Sequence, residues 1–443
     1  MSRSVRARVW LGALLLLGAC GGGMRAQVAE AARTGDVEAA RARYAEIRAS
    51  DGDDEDLLGY VAEAVLVAEA RSGEDARRQA AVQQLGLAGT RGREPLERLA
   101  AGTGPESIDA LVALARVGQR EARRVLRGMA DSPDAAVRAA SVLGMDADDD
   151  RSVLVSWCAD TSSEVREAAC GRLGELAPDS EVLALLEERA RIDPDASVRA
   201  TATRALGRFG EAAVLALRDR LSDAEPRVRT AALESLLRCQ REEGRQAAAS
   251  LLETPTSAST IEAARLLATR LDPAVAPDDA DLVLSRTHLL AALGHADATL
   301  RGQAAMALVA LPAEDVTTDA LLGRLEAEPD VGVRLTLARA LLARSGASDA
   351  ARTALRRLLT DDHGMTGTQA AVLLAGAGDG EGIARLEAEL GSTDVSVRRV
   401  AVRAIARDAM RPVEAREALG DSDALVRIQA AGGILAALAA RAH

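Results

Sequence analysis

One short phrase recurs along this chain: an acid, two small or polar residues, an aliphatic residue and an arginine. It is plainest at Asp195-Ala-Ser-Val-Arg199. It returns as Asp134-Ala-Ala-Val-Arg138, Asp297-Ala-Thr-Leu-Arg301, Asp330-Val-Gly-Val-Arg334, Asp394-Val-Ser-Val-Arg398 and Asp423-Ala-Leu-Val-Arg427. Ser162-Ser-Glu-Val-Arg166 and Glu225-Pro-Arg-Val-Arg229 are looser copies. Each reads as the opening of a helix. An aspartate there accepts from the free N–H groups of the first turn and sits at the positive end of the helix dipole. The aliphatic residue faces inward. The arginine, four positions after the acid, lies on the same helix face, where the two charges can meet.

The spacing of the phrases constrains the fold. Between successive arginines the steps are 28 (138 to 166), 33 (to 199), 30 (to 229), 33 (301 to 334) and 29 (398 to 427). Two longer intervals, 72 from Arg229 to Arg301 and 64 from Arg334 to Arg398, each hold a worn copy. One is Ser259-Thr-Ile-Glu262, a capping-box pattern; the other is Asp362-His-Gly-Met-Thr366. Glu106 to Ala110 and Glu74 to Arg78 extend the series backwards, giving about twelve units that average about 32 residues. Such a unit is two helices of roughly three turns joined by tight turns. Between the phrases lie the partner helices, such as Glu181 to Arg189 and Ala350 to Leu359. No stretch alternates with period two long enough to read as a strand. A helix pair of this kind cannot bury its apolar stripe alone, so neighbours must stack.

The Asp-x-x-Val-Arg turn and the Ala-x-x-Ala-Leu-Gly helix, recurring from about Glu74 to Ala440, resemble HEAT repeats. The likeness is greatest to the short bacterial class also found in phycobilin lyases. It implies an all-α, right-handed superhelical solenoid of about twelve stacked pairs. It also implies a structural role for the phrase residues, stacked into a ladder: Asp134, Arg138, Arg166, Asp195, Arg199, Arg229, Asp297, Arg301, Asp330, Arg334, Asp394, Arg398, Asp423 and Arg427.

Residues 1–19 read as an export signal. Arg3, Arg6 and Arg8 precede an apolar run from Val9 to Ala19, eleven residues long and too short to span a bilayer. The run ends in Leu17-Gly18-Ala19-Cys20, which resembles the lipobox of bacterial lipoproteins. That resemblance implies diacylglyceryl transfer to the Cys20 thiol and cleavage after Ala19. Residues 20–26 then form a flexible tether, and several acyl chains anchor far more firmly than one. Gly21 after the cysteine favours an outer-membrane address by the same resemblance. Removing residues 1–19 takes away three arginines and no acid, so the formal charge moves from −12 to −15. An acidic body with only Tyr44, Tyr60, Trp157 and Phe209 as mature aromatics is a poor binder of nucleic acid or anionic headgroups.

Residues 27–72 lack the phrase and read as an N-terminal helical cap, ahead of a repeat array over 73–443. The acidic runs Asp51 to Asp56 and Asp146 to Asp150 read as solvated turns, since the first lacks the glycine and the glutamate a calcium loop needs. Residues 272–279, with two prolines, read as a loop interrupting the array. His288, His295, His363 and His443 have no neighbouring ligands that complete a zinc-like set. Cys158, Cys170 and Cys239 are the remaining thiols. Cys170 occupies an alanine-like slot, and Cys158 and Cys170 lie on successive helices of one unit, where an oxidising compartment could pair them. No nucleophile elbow or phosphate-binding loop is recognisable. The expectation is a non-enzymatic scaffold without cofactor, catalytic residue, metal or small-molecule substrate. It would be tied to the envelope by lipid alone and present its solenoid to another envelope protein. A bilin-lyase-like enzyme or ligand carrier, on fold resemblance alone, and a plain structural spacer are the alternatives.

Overall fold

A computed structural model describes residues 23–145, 149–175, 179–239, 241–269, 280–309, 311, 315–342, 344, 348–361 and 364–441. The signal segment with Leu17, Gly18, Ala19 and Cys20, the 272–279 loop, His363 and His443 lie outside them. The described residues are helical, with no strand among them. Twelve helices open at or beside the register marks, from Asp75–Leu87 to Ala424–Arg441, and shorter partner helices alternate with them. The chain is an all-α array of stacked helix pairs, as its period demanded.

Three openings fall two residues from their expected places. The one expected at Asp362 begins at Gly364, ahead of the Met365–Gly376 helix. The worn copy at Ser259 starts instead at Ser257, which caps the Ala258–Thr269 helix. Ser257 N–H donates to Thr260 Oγ1 at 2.8 Å while Thr260 N–H donates back to Ser257 Oγ at 3.3 Å. The reciprocal capping partner is a threonine, and Glu262 binds Arg265 instead. The copy at Glu106 likewise opens at Pro105 behind Gly104, because proline supplies a helical φ at the first position and has no N–H to leave unpaired.

The chain divides into two compact units. Unit 2, residues 123–357, has a core of small and branched residues: Leu154, Cys158, Cys170, Leu173, Val182, Leu186, Val198, Leu206 and Leu217 are all fully buried. Its phrase helices Ser163–Leu173, Ala196–Leu206 and Pro226–Cys239 pack side by side, each also against a partner helix. Alanine and glycine bring them close. A Cβ on Gly174 would stand 2.6 Å from that of Ala205.

Unit 1 joins both ends of the chain, residues 1–122 and 358–443. Its last helix, Ala424–Arg441, packs on Glu55–Ala70 and Asp75–Leu87 on one side and on Val395–Arg403 on the other. Two adjacent glycines admit the contacts. A Cβ on Gly432 would come within 2.8 Å of Gln84 Cβ, and one on Gly433 within 2.7 Å of Ala406 Cβ. This helix is long and apolar enough to cross a membrane by length and composition, yet Val426, Ile428, Ile434, Leu435 and Leu438 are buried against its neighbours. Residues 27–72 form helices, among them Val37–Asp51 and Glu55–Ala70, separated by short turns. Glu55–Ala70 within them is buried between Asp75–Leu87 and Ala424–Arg441, with Leu58, Val61, Val65 and Leu66 inside. Before the last helix the regular pattern breaks. Val395–Arg403 runs into a π turn, Ala404–Asp408, followed by Met410 at φ +56° and the short 3₁₀ turn Arg416–Gly420. Pro412 lacks the N–H for a helical bond and disfavours helix at Arg411.

Candidate functional site: an arginine ladder and the faces it supports

Aspartates of the phrase do what an N-cap does. Asp134, Asp195, Asp297 and Asp394 each accept from the N–H two residues on, at 2.7–2.9 Å. Asp330 takes the N–H of Val333, and Asp423 those of Leu425 and Val426. They do not meet the arginine of their own phrase.

Each of five phrase arginines instead reaches forward to the next repeat, to a carboxylate two residues before the next helix cap. Arg138 grips Asp160 with Nε and Nη2 at 3.1 and 3.0 Å, and Arg166 grips Asp193 at 2.8 and 2.9 Å. Arg199 grips Asp223 at 3.1 and 3.0 Å, Arg301 grips Glu328 at 2.9 and 2.6 Å, and Arg398 grips Asp421 at 2.8 and 2.9 Å. The remaining nitrogen, Nη1, donates back to two carbonyls of its own turn; for Arg166 these are Asp160 O and Thr161 O at 2.9 and 3.2 Å. The acceptor has a second task as well. Asp193 Oδ1 takes the N–H of Asp195 at 3.0 Å, and Asp160, Asp223, Glu328 and Asp421 do the same in their own turns. One planar guanidinium thus ties the turn that opens its own helix to a capped turn of the next repeat, using the bidentate geometry that lysine lacks.

The acceptors were missed in the sequence although a signal was present: a carboxylate six residues before the next phrase arginine, as in Asp193-Pro-Asp195. Where the arginine is absent the acceptor is absent too. Ile261 fills the arginine slot of one repeat, and His295, not an acid, takes the Asp297 N–H at 3.0 Å in the next. Thr368 fills the slot in another, followed by Ser392 as the capping oxygen. Arg229 binds Asp223 O and Ala224 O, both at 2.8 Å, and the register position after it is Pro255. Arg334 opens Val331–Leu342, and the residue in register with it, Asp362, lies outside the described residues.

In unit 1 the ladder ends on the front of the chain. Arg427 donates Nε to Glu69 Oε1 at 3.0 Å, and Arg77 holds the other oxygen of Glu69 at 2.7 Å. Arg78 pairs with Asp109 and Asp75 at 2.7 and 2.6 Å.

Electrostatics follow this geometry. Burial alone would raise the Asp193 carboxyl, but Arg166, the Asp195 N–H and Arg189 outweigh it and hold it below its ordinary 3.8. Asp223 behaves alike through Arg199. Arg301 first, helped by the Asp330 N–H and Arg324, holds Glu328 down to about 2 against the penalty of burial.

In each unit the phrase helices leave a shallow groove exposed. In unit 2 the Ala258–Thr269, Ala298–Val309 and Val331–Leu342 helices enclose a groove lined by Ile261, Glu262, Arg265, Gln303, Met306 and Thr336, with Met306 44% exposed. In unit 1 a second groove lies between Asp75–Leu87 and Pro105–Arg116, where Leu87 and Val117 are exposed beside Gln79, Gln83, Asp109 and Arg116. Both grooves mix apolar and polar side chains. His288 lies on the Ala280–Ala292 helix. Among the described residues no three metal-ligating side chains converge.

No curated protein matches the sequence. Among solved structures, the chain is similar to the Escherichia coli protein YibA, with 17% identity over 62% of this chain and 97% of that one, at a TM-score of 0.37. It is similar to Kap121p, with 13% identity over 87% of this chain and 54% of that one, at a TM-score of 0.40. A third is the Schizosaccharomyces pombe condensin Cnd3–Cnd2 subcomplex, with 14% identity over 89% and 67% and a TM-score of 0.35. A family model described as HEAT repeats matches residues 139–207 and 183–268. The stretch from 139 to 268, which carries the Arg166–Asp193 and Arg199–Asp223 rungs of the ladder, is made of HEAT repeats.

Proposed function

We propose that this protein is a lipid-anchored scaffold of the bacterial envelope, bound to its membrane through Cys20 and holding another envelope protein on the exposed faces of its phrase helices. The observation that carries the reading is the junction of two features: a HEAT-repeat body and the Leu17-Gly18-Ala19-Cys20 sequence after a short apolar run. The ladder supports it, since its buried and half-buried arginines are spent on holding repeats in register. What remains for recognition are two separate shallow grooves, one around Met306 in unit 2 and one around Leu87 and Val117 in unit 1. Charge and apolar contacts along such a groove suit a protein segment better than a small molecule, which wants an enclosed pocket.

The test is made on the full chain in a Gram-negative host. Labelled palmitate should enter the wild type and not Cys20→Ser, and the mature wild type should begin at an acylated Cys20. A secreted, unacylated product, or one retaining residues 1–19, overturns the anchor. Crosslinking in intact envelopes should capture one reproducible protein, lost on Met306→Glu or Val117→Glu. Unchanged capture by both variants overturns the assignment of the grooves.

A further inference from the structure

The Sγ atoms of Cys158 and Cys170 lie 3.4 Å apart in the core of unit 2, and both side chains are fully buried. Cys158 ends the Arg151–Trp157 helix and Cys170 sits inside Ser163–Leu173. Around them pack Leu154, Ala169, Leu173, Val182 and Leu186. The turn between the two helices holds Asp160, the acceptor for Arg138, and its Asp160 and Thr161 carbonyls accept from Arg166, which grips Asp193. Van der Waals contact between two sulfurs on separate helices leaves little more than an ångström to close for a bond of about 2.05 Å.

We infer that Cys158 and Cys170 form a structural disulfide when the chain matures in an oxidising compartment, stapling the helices of one repeat around a turn that serves two rungs of the ladder. The oxidant is a disulfide, either that of a thiol oxidoreductase or a small one such as oxidised glutathione. The thiolate of one cysteine attacks it, breaking its S–S bond and releasing one thiol. The second cysteine, giving up its proton, then displaces the other sulfur from the mixed disulfide. One S–S bond forms for each one broken, and two electrons pass from the protein to the oxidant, which leaves as two thiols. Burial dictates the order of events. No oxidant reaches either sulfur in the folded unit, so the bond forms during folding or after local opening, and once formed it is shielded from reduction.

Cys239, only partly buried at the end of Pro226–Cys239, is the internal comparison. The full chain is refolded in oxidised and reduced glutathione, quenched with acid, unfolded and alkylated, and each cysteine is read by peptide mass. Cys158 and Cys170 should be recovered as one linked pair with Cys239 alkylated, and Cys239→Ala should give the same pair. Reductant should lower the melting midpoint of the oxidised wild type by about 5 °C or more, as expected for a loop of this length. It should leave a Cys158→Ala/Cys170→Ala double variant unmoved. Free Cys158 and Cys170 after refolding in oxidising buffer overturn the inference, as does a link from either to Cys239. The location rests on the proposed export; the bond does not. Failure of palmitate to label Cys20 in the host, with the pair still linked on refolding, would sink the anchor and leave this bond standing.

Discussion

At the scale of the residue, the phrase arginine acts on two repeats at once, and its acceptor carries much of the cost. Asp193 is closed off from water, bound by Arg166 through two hydrogen bonds and by the Asp195 N–H. Removing its charge leaves a guanidinium facing a weaker acceptor in a buried site. Asp193→Asn should therefore cost about 2–3 kcal/mol of unit 2 stability at pH 7 in urea unfolding, while Arg208→Ala, at an exposed position, should cost little. The pH dependence carries the sign. Asp160, Asp193, Asp223 and Asp421 are held below 3.8, and Glu328 falls from 4.5 to about 2. A group whose folded pKa is depressed contributes stability above its unfolded pKa and loses it as pH falls through the folded one. Wild-type stability should thus decline from about pH 4.5 towards 2, and the gap to Asp193→Asn should narrow over the acid end of that window. A constant gap down to pH 2 would contradict the assignment.

At the scale of the element, glycine and alanine set how closely helices approach. Gly433 faces Ala406, and a methyl there would sit 2.7 Å from the alanine Cβ, tighter than packed side chains tolerate. Gly323, in the Asp315–Ala327 helix, has nothing within 4 Å of where its Cβ would be. Helix propensity alone favours alanine at both sites by up to about 1 kcal/mol. Packing reverses the sign at one. Gly433→Ala should destabilise by about 1–3 kcal/mol, whereas Gly323→Ala should be neutral or stabilising. Thermal unfolding of the two variants checks this, and a stabilised Gly433→Ala would show that the last helix does not seat as described.

At the scale of the whole molecule, the important fact lies inside unit 1, where helices some 350 residues apart in sequence share one core. The Arg427–Glu69 bridge spans 358 positions, and Leu435 and Leu438 lie against Gly59. A helix pair at the front that would otherwise expose an apolar flank is covered by the last helix of the chain. Deleting 424–441 should therefore raise amide exchange most across residues 55–87, far from the cut in sequence, while the middle of unit 2, around 163–239, keeps its protection. Loss confined to residues next to the deletion would rule out the shared core.

The period of the phrase determined the fold by itself. A cap, an inward aliphatic residue and an alanine-rich helix every 30 or so residues allow only stacked helix pairs, because neither helix can bury its stripe alone. The capping aspartates were legible for the same local reason. Other features were decided by tertiary structure. Arg199 could pair with Asp195 four residues back or with an acid in the next repeat, and only stacking brought Asp223 within its reach. Glu69 and Arg427 carry no mark of each other in the sequence, since a contact across 358 residues depends on where the array ends in space. Cys158 and Cys170 needed the packing of two helices to bring their sulfurs into contact. Local signals specify elements through short-range hydrogen bonds; which partners meet is fixed by the burial those elements achieve together.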